Sequence, residues 1–244
     1  MYSSGTTGPP KSIIHSSGGT LIQHMKEHQL HCDVKPGKSK MFWFTTCGWM
    51  MWNWLISVLA SKASIVLFDG SPTYKSKDLL LKIAEKEKIT LLGVSAKYID
   101  ALKKYEPNLK FKFKLHKLKT ICSTGSPLSN DGFKYVYKNI KKNVHLASIS
   151  GGTDIVSCFV LGNLYEPVNL GEIQNKGLAL DVDILNDSGY SVKNTKGEFV
   201  CKNPFPSMPI KFWNDSKDTK YKNAYFKKFK INNLCRCYNF TSNI

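Results

Sequence analysis

From Ser64 to Ser150 the chain switches repeatedly between two periods, and this alternation constrains the fold more than any other feature. SIVLFD (64–69), TLLGVS (90–95), KTICST (119–124) and VHLASIS (144–150) are short runs rich in Ile, Val and Leu. Between them, SKDLLLKIAEKEK (76–88), AKYIDALKKY (96–105) and FKYVYKNIKK (133–142) place apolar residues at helical spacing. Ser76 stands where the first of these helices needs an N-cap. Continuous apolar strands are covered on both faces, so the pattern predicts an α/β fold: a largely parallel sheet with helices on both faces. Past residue 165 the rhythm changes. ALDVDIL (179–185) alternates apolar and polar residues, NDSG (186–189) is a turn, and GEFVCK (197–202) is a second short strand. The expected organisation is an α/β core over 1–165, a small antiparallel β subdomain over 166–229 and an irregular tail over 230–244.

One stretch has to be tested against a membrane. Met41 to Ser61 carries no charge and is long enough to span a bilayer. It also holds Thr45, Thr46, Gly48, Asn53 and Ser57, and its tryptophans lie mid-segment rather than at the ends. A buried strand (Met41–Thr46), a turn at Gly48 and a buried helix (Met50–Ala60) account for it better, so no membrane span is expected.

The charge balance is basic, 35 Lys and Arg against 18 Asp and Glu. Nucleic acid is the tempting partner, because cations gain affinity by releasing counterions from phosphates. Arg236 is the only arginine, however, and arginine makes the bidentate base contacts of specific readers. The lysines are dispersed, which reads as a solvated surface and not as a nucleic-acid interface. The seven cysteines show no C-x-x-C spacing, so reduced thiols in a cytoplasmic protein are expected.

Four Gly-rich loops carry the chemistry. The chain opens on YSSGTTGPPKS (2–12), which is not a Walker A loop: Pro10 precedes Lys11 and lacks the N–H a phosphate cradle would use. Backbone amides near Gly5 and Gly8, the hydroxyls of Thr6 and Thr7, and the mobile charge of Lys11 still suit an anion. Taken alone, the stretch reads equally well as a Ser/Gly-rich linker. Beginning at residue 2, it also leaves no room for a strand to present it. The other three loops follow predicted strands, where open α/β sheets place ligands. They are Thr124-Gly125-Ser126-Pro127, Ser150-Gly151-Gly152-Thr153-Asp154, and Gly48-Trp49-Met50-Met51-Trp52. Thr153 beside Asp154 offers a hydroxyl and a carboxylate for a phosphate and its Mg²⁺. Trp49 and Met50 offer an apolar wall.

SSGTTGPPK, HSSGGTLIQHMKEH, TTCGWMMWNW, STGSPL and SISGGTDI together resemble the acyl-adenylate-forming (AMP-binding) ligases, from Tyr2 to about Phe229. The resemblance implies a partial adenylating-enzyme N-terminal domain. It also implies an AMP-forming acid–thiol ligase that activates a short-chain acid such as acetoacetate with ATP, Mg²⁺ and CoA. On that reading Thr6, Thr7, Gly8 and Lys11 handle the β- and γ-phosphates. Gly125, Ser126 and Pro127 lie along the adenine, and Gly151, Gly152 and Thr153 complete the nucleotide wall. Asp154 stands where the family places a Mg²⁺-associated acid, usually glutamate. Trp49, Met50 and Gly151 belong to the acyl pocket, since acetyl-activating members carry a tryptophan in the stretch that reads Ser150-Gly151-Gly152 here. A smaller residue there admits a longer acid. No side-chain nucleophile is required, so His15, His24, His28 and His31 are expected on helix surfaces or in packing.

The chain departs from the family after Phe229, where KINNLCRCYNF replaces the expected Trp and His-Gly-Asp stretch. The ribose clamp and the mobile lid that follows it are not in the sequence. The chain therefore reads as a middle portion of a ligase, expected to be inactive alone. The alternative is a non-catalytic nucleotide- or partner-binding remnant.

Overall fold

The structure is a computed structural model and describes residues 1–3, 10–229 and 236–240. The chain packs as two compact units. One comprises Met1–Gln23, Gly151–Phe159 and Lys176–Ile244; the other comprises His24–Ser150 and Val160–Asn175.

The second unit is built on the predicted parallel sheet. Its five strands lie in the order Ser64–Val66, Lys40–Trp43, Leu91–Ser95, Thr120–Thr124, His145–Ser148, and every neighbouring pair is parallel. Phe42, Leu92, Ile121 and Leu146 from the strands join Leu80, Ile99, Leu102, Phe133 and Val136 from the helices in one core. Gly93 pairs with Trp43 across two strands, and a Cβ at this position would run into the indole ring. The glycine thus seats a large aromatic flat on the sheet.

The helices begin where the sequence supplies caps. Ser95 Oγ accepts from Tyr98 N at 3.2 Å and opens Ala96–Tyr105. Ser129 Oγ accepts from Gly132 N at 3.1 Å and opens Asn130–Tyr135. Ser76 does not cap. The helix runs Leu79–Lys86 with Asp78 at the cap position. The Ser76 hydroxyl donates instead to the Asp78 carboxylate, which also accepts from Lys112 Nζ at 2.7 Å. Holding that nearly buried carboxylate takes precedence over an extra helical turn. The uncharged 41–61 stretch becomes the strand Lys40–Trp43, the helix Met51–Ser57 and a 3₁₀ turn Val58–Ser61. Among the described residues, no helix is long and apolar enough to cross a membrane.

The helix Ser17–Lys26 runs into a wider π-helical turn, Glu27–His31. Here His24, Glu27, His28 and His31 are buried, so the histidines are packing residues and not surface ones. Trp54 Nε1 donates to Glu27 Oε2 at 2.8 Å, and the His28 ring meets Trp54 edge-on with centroids 4.1 Å apart. His31 Nδ1 donates to the Gly162 carbonyl at 2.8 Å.

Among the described residues, two antiparallel sheets belong wholly to the first unit. In one, Lys11–Ile14 is the centre strand, flanked by Tyr2–Ser3 and Lys211–Phe212. The opening loop therefore does have a presenting strand, of two residues. So short a strand suffices because the pairing with Lys211–Phe212 holds the centre strand from its other edge. Main-chain bonds also tie Met1 and Ile13 together in both directions. The other sheet contains the predicted hairpin, Val182–Leu185 against Glu198–Cys201, with Arg236–Phe240 alongside. Phe212, Tyr221 and Tyr225 pack edge-to-face with centroids 5.3 to 5.6 Å apart.

Candidate functional site

In the first unit Lys11 opens the centre strand of its sheet, and its Nζ donates to Asp154 Oδ2 at 3.2 Å. The Tyr225 hydroxyl donates to the same oxygen at 2.9 Å. The Lys11 ammonium also stands 5.4 Å from the Tyr225 ring centroid, within cation–π range. His15 Nε2 donates to the Asp154 backbone carbonyl at 2.8 Å. Two sequence-predicted residues, Lys11 and Asp154, are thus brought together from positions far apart in the chain. Thr6, Thr7 and Gly8 lie outside the described residues.

Asp154 sits in a single 3₁₀ turn, Thr153–Ile155, and the next residue, Val156, has φ 50°. A β-branched residue in the left-handed region is strained. The turn is closed by Val156 N donating to the Thr153 carbonyl at 3.2 Å, and Val156 itself is buried. The strain holds a sharp reversal that leaves Thr153 and Asp154 half-exposed. At Gly151 a Cβ would collide with the Ser157 carbonyl oxygen. Close approach of two backbones therefore accounts for glycine at 151. Gly152 is extended, at φ −165° and ψ 165°, a conformation open to any residue.

The second unit holds the remaining candidates. Trp49 and Met50 lead into the helix Met51–Ser57. Met50 is buried and Trp49 half-buried. Gly125 follows the strand Thr120–Thr124 with φ +83°, and a Cβ there would lie 3.8 Å from Trp49 Cζ2. The indole and the strand-end turn are therefore neighbours, although 76 positions separate them. Ser126 is half-buried and Pro127 exposed. Thr124 Oγ1 donates to the Ile149 carbonyl at 2.9 Å and ties two strand ends together.

Sequence reasoning missed Tyr225 and His15. Tyr225 lies four residues after Tyr221 on the helix Thr219–Phe226, and that one-turn repeat of tyrosines was the available signal. His15 directly follows the strand that carries Lys11.

In the first unit a lysine and a carboxylate from distant segments meet, a pairing that suits phosphate chemistry; in the second, separately, a flat aromatic lies beside a glycine turn. Comparison with known proteins agrees. The family model described as AMP-binding enzyme matches residues 1–208. The acetoacetyl-coenzyme A synthetase of Rhizobium meliloti (strain 1021) is 55% identical over 229 residues, covering 94% of this chain and 35% of that protein. The acetoacetyl-CoA synthetase of Gallus gallus is 51% identical over 231 residues, covering 94% and 34%. The solved acetoacetyl-CoA synthetase from Streptomyces lividans superposes with a TM-score of 0.86 at 42% identity, covering 94% of this chain and 36% of that one. The chain spans about a third of the length of the curated relatives it matches. A family model matching most of the residues shows that this chain belongs to the AMP-binding enzymes.

Proposed function

We propose that this chain is the nucleotide-handling portion of an AMP-forming acid–thiol ligase that takes ATP, CoA and a short-chain acid such as acetoacetate. The observation that carries this reading is the 55% identity to an acetoacetyl-coenzyme A synthetase across 94% of the chain. In the first half-reaction the acid's carboxylate attacks the α-phosphorus of ATP. The bond to the β-phosphate breaks, and pyrophosphate leaves with the electron pair. In the second, the CoA thiol attacks the acyl carbonyl, its proton passes to solvent, and AMP departs. Catalysis of this kind rests on positioning and charge neutralisation. Lys11 would face the departing phosphates, and Thr6, Thr7 and Gly8 complete that loop. Gly125, Ser126 and Pro127 would bound the adenine, with Trp49 and Met50 toward the acyl group.

Asp154 fits a Mg²⁺ that keeps most of its water and shares the nucleotide's phosphates, since one carboxylate is enough for such an ion. When bound, the ion neutralises phosphate charge. Among the described residues, no cluster of three or more His, Cys, Asp or Glu forms a closed metal cage. On this reading the glycines of the stretch Ser150-Gly151-Gly152, Gly151 among them, leave the room that a longer acid needs.

A cytoplasmic location is part of the proposal. The Cys32 and Cys122 sulfurs stand 4.0 Å apart as hydrogen-bonded thiols, an arrangement that suits a reducing compartment.

Calorimetric titration of the purified chain with MgATP tests the nucleotide reading. Saturable binding is expected, weakened about tenfold in Thr153→Val and in Asp154→Asn. Binding that neither variant alters, or no binding, overturns it.

A further inference from the structure

A basin lies at the other end of the parallel sheet from the Thr124–Gly125 turn, where the strands begin. Lys38 precedes the strand Lys40–Trp43, Thr90 precedes Leu91–Ser95, and Lys119 precedes Thr120–Thr124. The basin has a volume of about 530 Å³ and is lined by Lys35, Lys38, His116, Lys117 and Lys119, with Asp33 as its one carboxylate. Asp33 is already engaged, with Oδ1 2.6 Å from Lys35 Nζ. Lys38, Lys117 and Lys119 have no ion pair among the described residues. Three lysines therefore line one basin without an ion-pair partner of their own. Elsewhere Asp78, Asp183 and Glu198 each take a lysine.

Nor does a main-chain carbonyl take any of these three ammonium groups among the described residues, as the Leu115 carbonyl takes Lys141 Nζ at 2.6 Å. Lys40 N donates to Thr90 Oγ1, Lys119 N to the Thr90 carbonyl and Lys35 N to Ser39 Oγ. These main-chain donors are thus satisfied, and the unpaired lysines line the basin beside His116 and the paired Asp33. Below them the floor is apolar, with Val34 and Leu91 each 2% exposed.

We propose that this basin binds a small oligophosphate anion, a compact ligand carrying at least two phosphate groups. Lysine is a point charge with three rotatable donors and lacks the planar fork that matches a single carboxylate. Several such charges from two loops suit an anion with many oxygens pointing in different directions. The volume exceeds a lone phosphate and falls within the range of small-molecule pockets. The site is separate from the nucleotide reading and does not depend on it.

The test uses inorganic pyrophosphate and a reporter inside the basin, the His116 imidazole signal in ¹H–¹³C NMR at fixed pH, assigned with His116→Gln. A saturable shift is expected. It should persist in Asp154→Asn, and its affinity should fall at least about tenfold in Lys117→Ala/Lys119→Ala. Both lysines are exposed, so this variant should keep the parent melting temperature. Lys193→Ala/Lys196→Ala removes the same charge from an exposed turn elsewhere and should leave the affinity unchanged. Equal losses in the two double variants would mean that the net charge, and not the basin, attracts the anion. Such a result, an absent shift, or a shift lost in Asp154→Asn overturns the proposal. Tighter competition by hexaglutamate than by pyrophosphate also overturns it, in favour of an acidic protein segment.

Discussion

Asp154 is the most heavily bonded of the candidate site residues. One carboxylate oxygen accepts from both Lys11 and Tyr225, while its backbone carbonyl accepts from His15. Two of these partners come from the strand Lys11–Ile14 and its next residue, and the third from the helix Thr219–Phe226, so Asp154 is positioned by packing and not by its own turn alone. The glycine three residues before it does a different job. Because a Cβ at 151 meets the Ser157 carbonyl, Gly151→Ala should destabilise the chain by about 1–3 kcal/mol. Gly18 has nothing within 4 Å of a built Cβ and lies in the helix Ser17–Lys26, so Gly18→Ala should be neutral or stabilising by up to about 1 kcal/mol. Urea unfolding of the two variants beside the parent checks the contrast. Equal midpoints would show that the Ser157 contact yields without cost.

At the scale of elements, the helix and π-helical turn from Ser17 to His31 carry the most titratable charge into the core. Burial lowers the pKa of His28 well below 6.5, and the neighbouring His24 adds to the effect. Burial also lowers His31, against the opposing bond to Gly162, and lowers His145 against its bond to Gln174. A folded pKa below the unfolded one means that the unfolded chain takes up protons first as the pH falls. Stability is therefore full above about pH 6.5 and declines below it, by at most about 1.4 kcal/mol per pH unit for each histidine. The urea midpoint should accordingly drop between about pH 7.5 and pH 5.5. A midpoint that holds or rises over this interval would show that these rings charge without unfolding anything. The parallel sheet obeys different rules. Its inner strands are legible because burial on both faces writes an unbroken apolar run into the sequence.

At the scale of the whole molecule, the net charge of +17 is the dominant fact. A dispersed lysine surface gives weak, sequence-independent attraction to polyanions that salt removes. Binding of this chain to duplex DNA should therefore be detectable at about 50 mM salt and lost by about 200 mM. Tight, sequence-selective binding at the higher salt would restore the nucleic-acid reading. The expected cut at residue 165 and the two compact units divide the chain on different grounds. A composition change marks where the strand pattern shifts, whereas compactness groups Gly151–Phe159 with Met1–Gln23 and Lys176–Ile244.

Local chemistry made much of this protein readable in one dimension. Period and propensity announced the strands of the parallel sheet, the helix Ala96–Tyr105 and the hairpin around Asn186. Loop motifs carried the family and named Lys11, Gly125 and Asp154. Those signals are short-range, because a turn or a strand is decided by neighbours along the chain. Contacts between distant segments leave no such trace. Nothing near Lys11 indicates that its ammonium meets Asp154 and Tyr225. Nothing in Gly93 reveals the Trp43 ring it must admit, or in Gly151 the Ser157 carbonyl. Ser76 had the right identity for a cap and lost that role to Asp78 and Lys112, which is close only once the chain has folded. The cationic basin is the same case at larger scale: its lysines come from loops that only the sheet brings together.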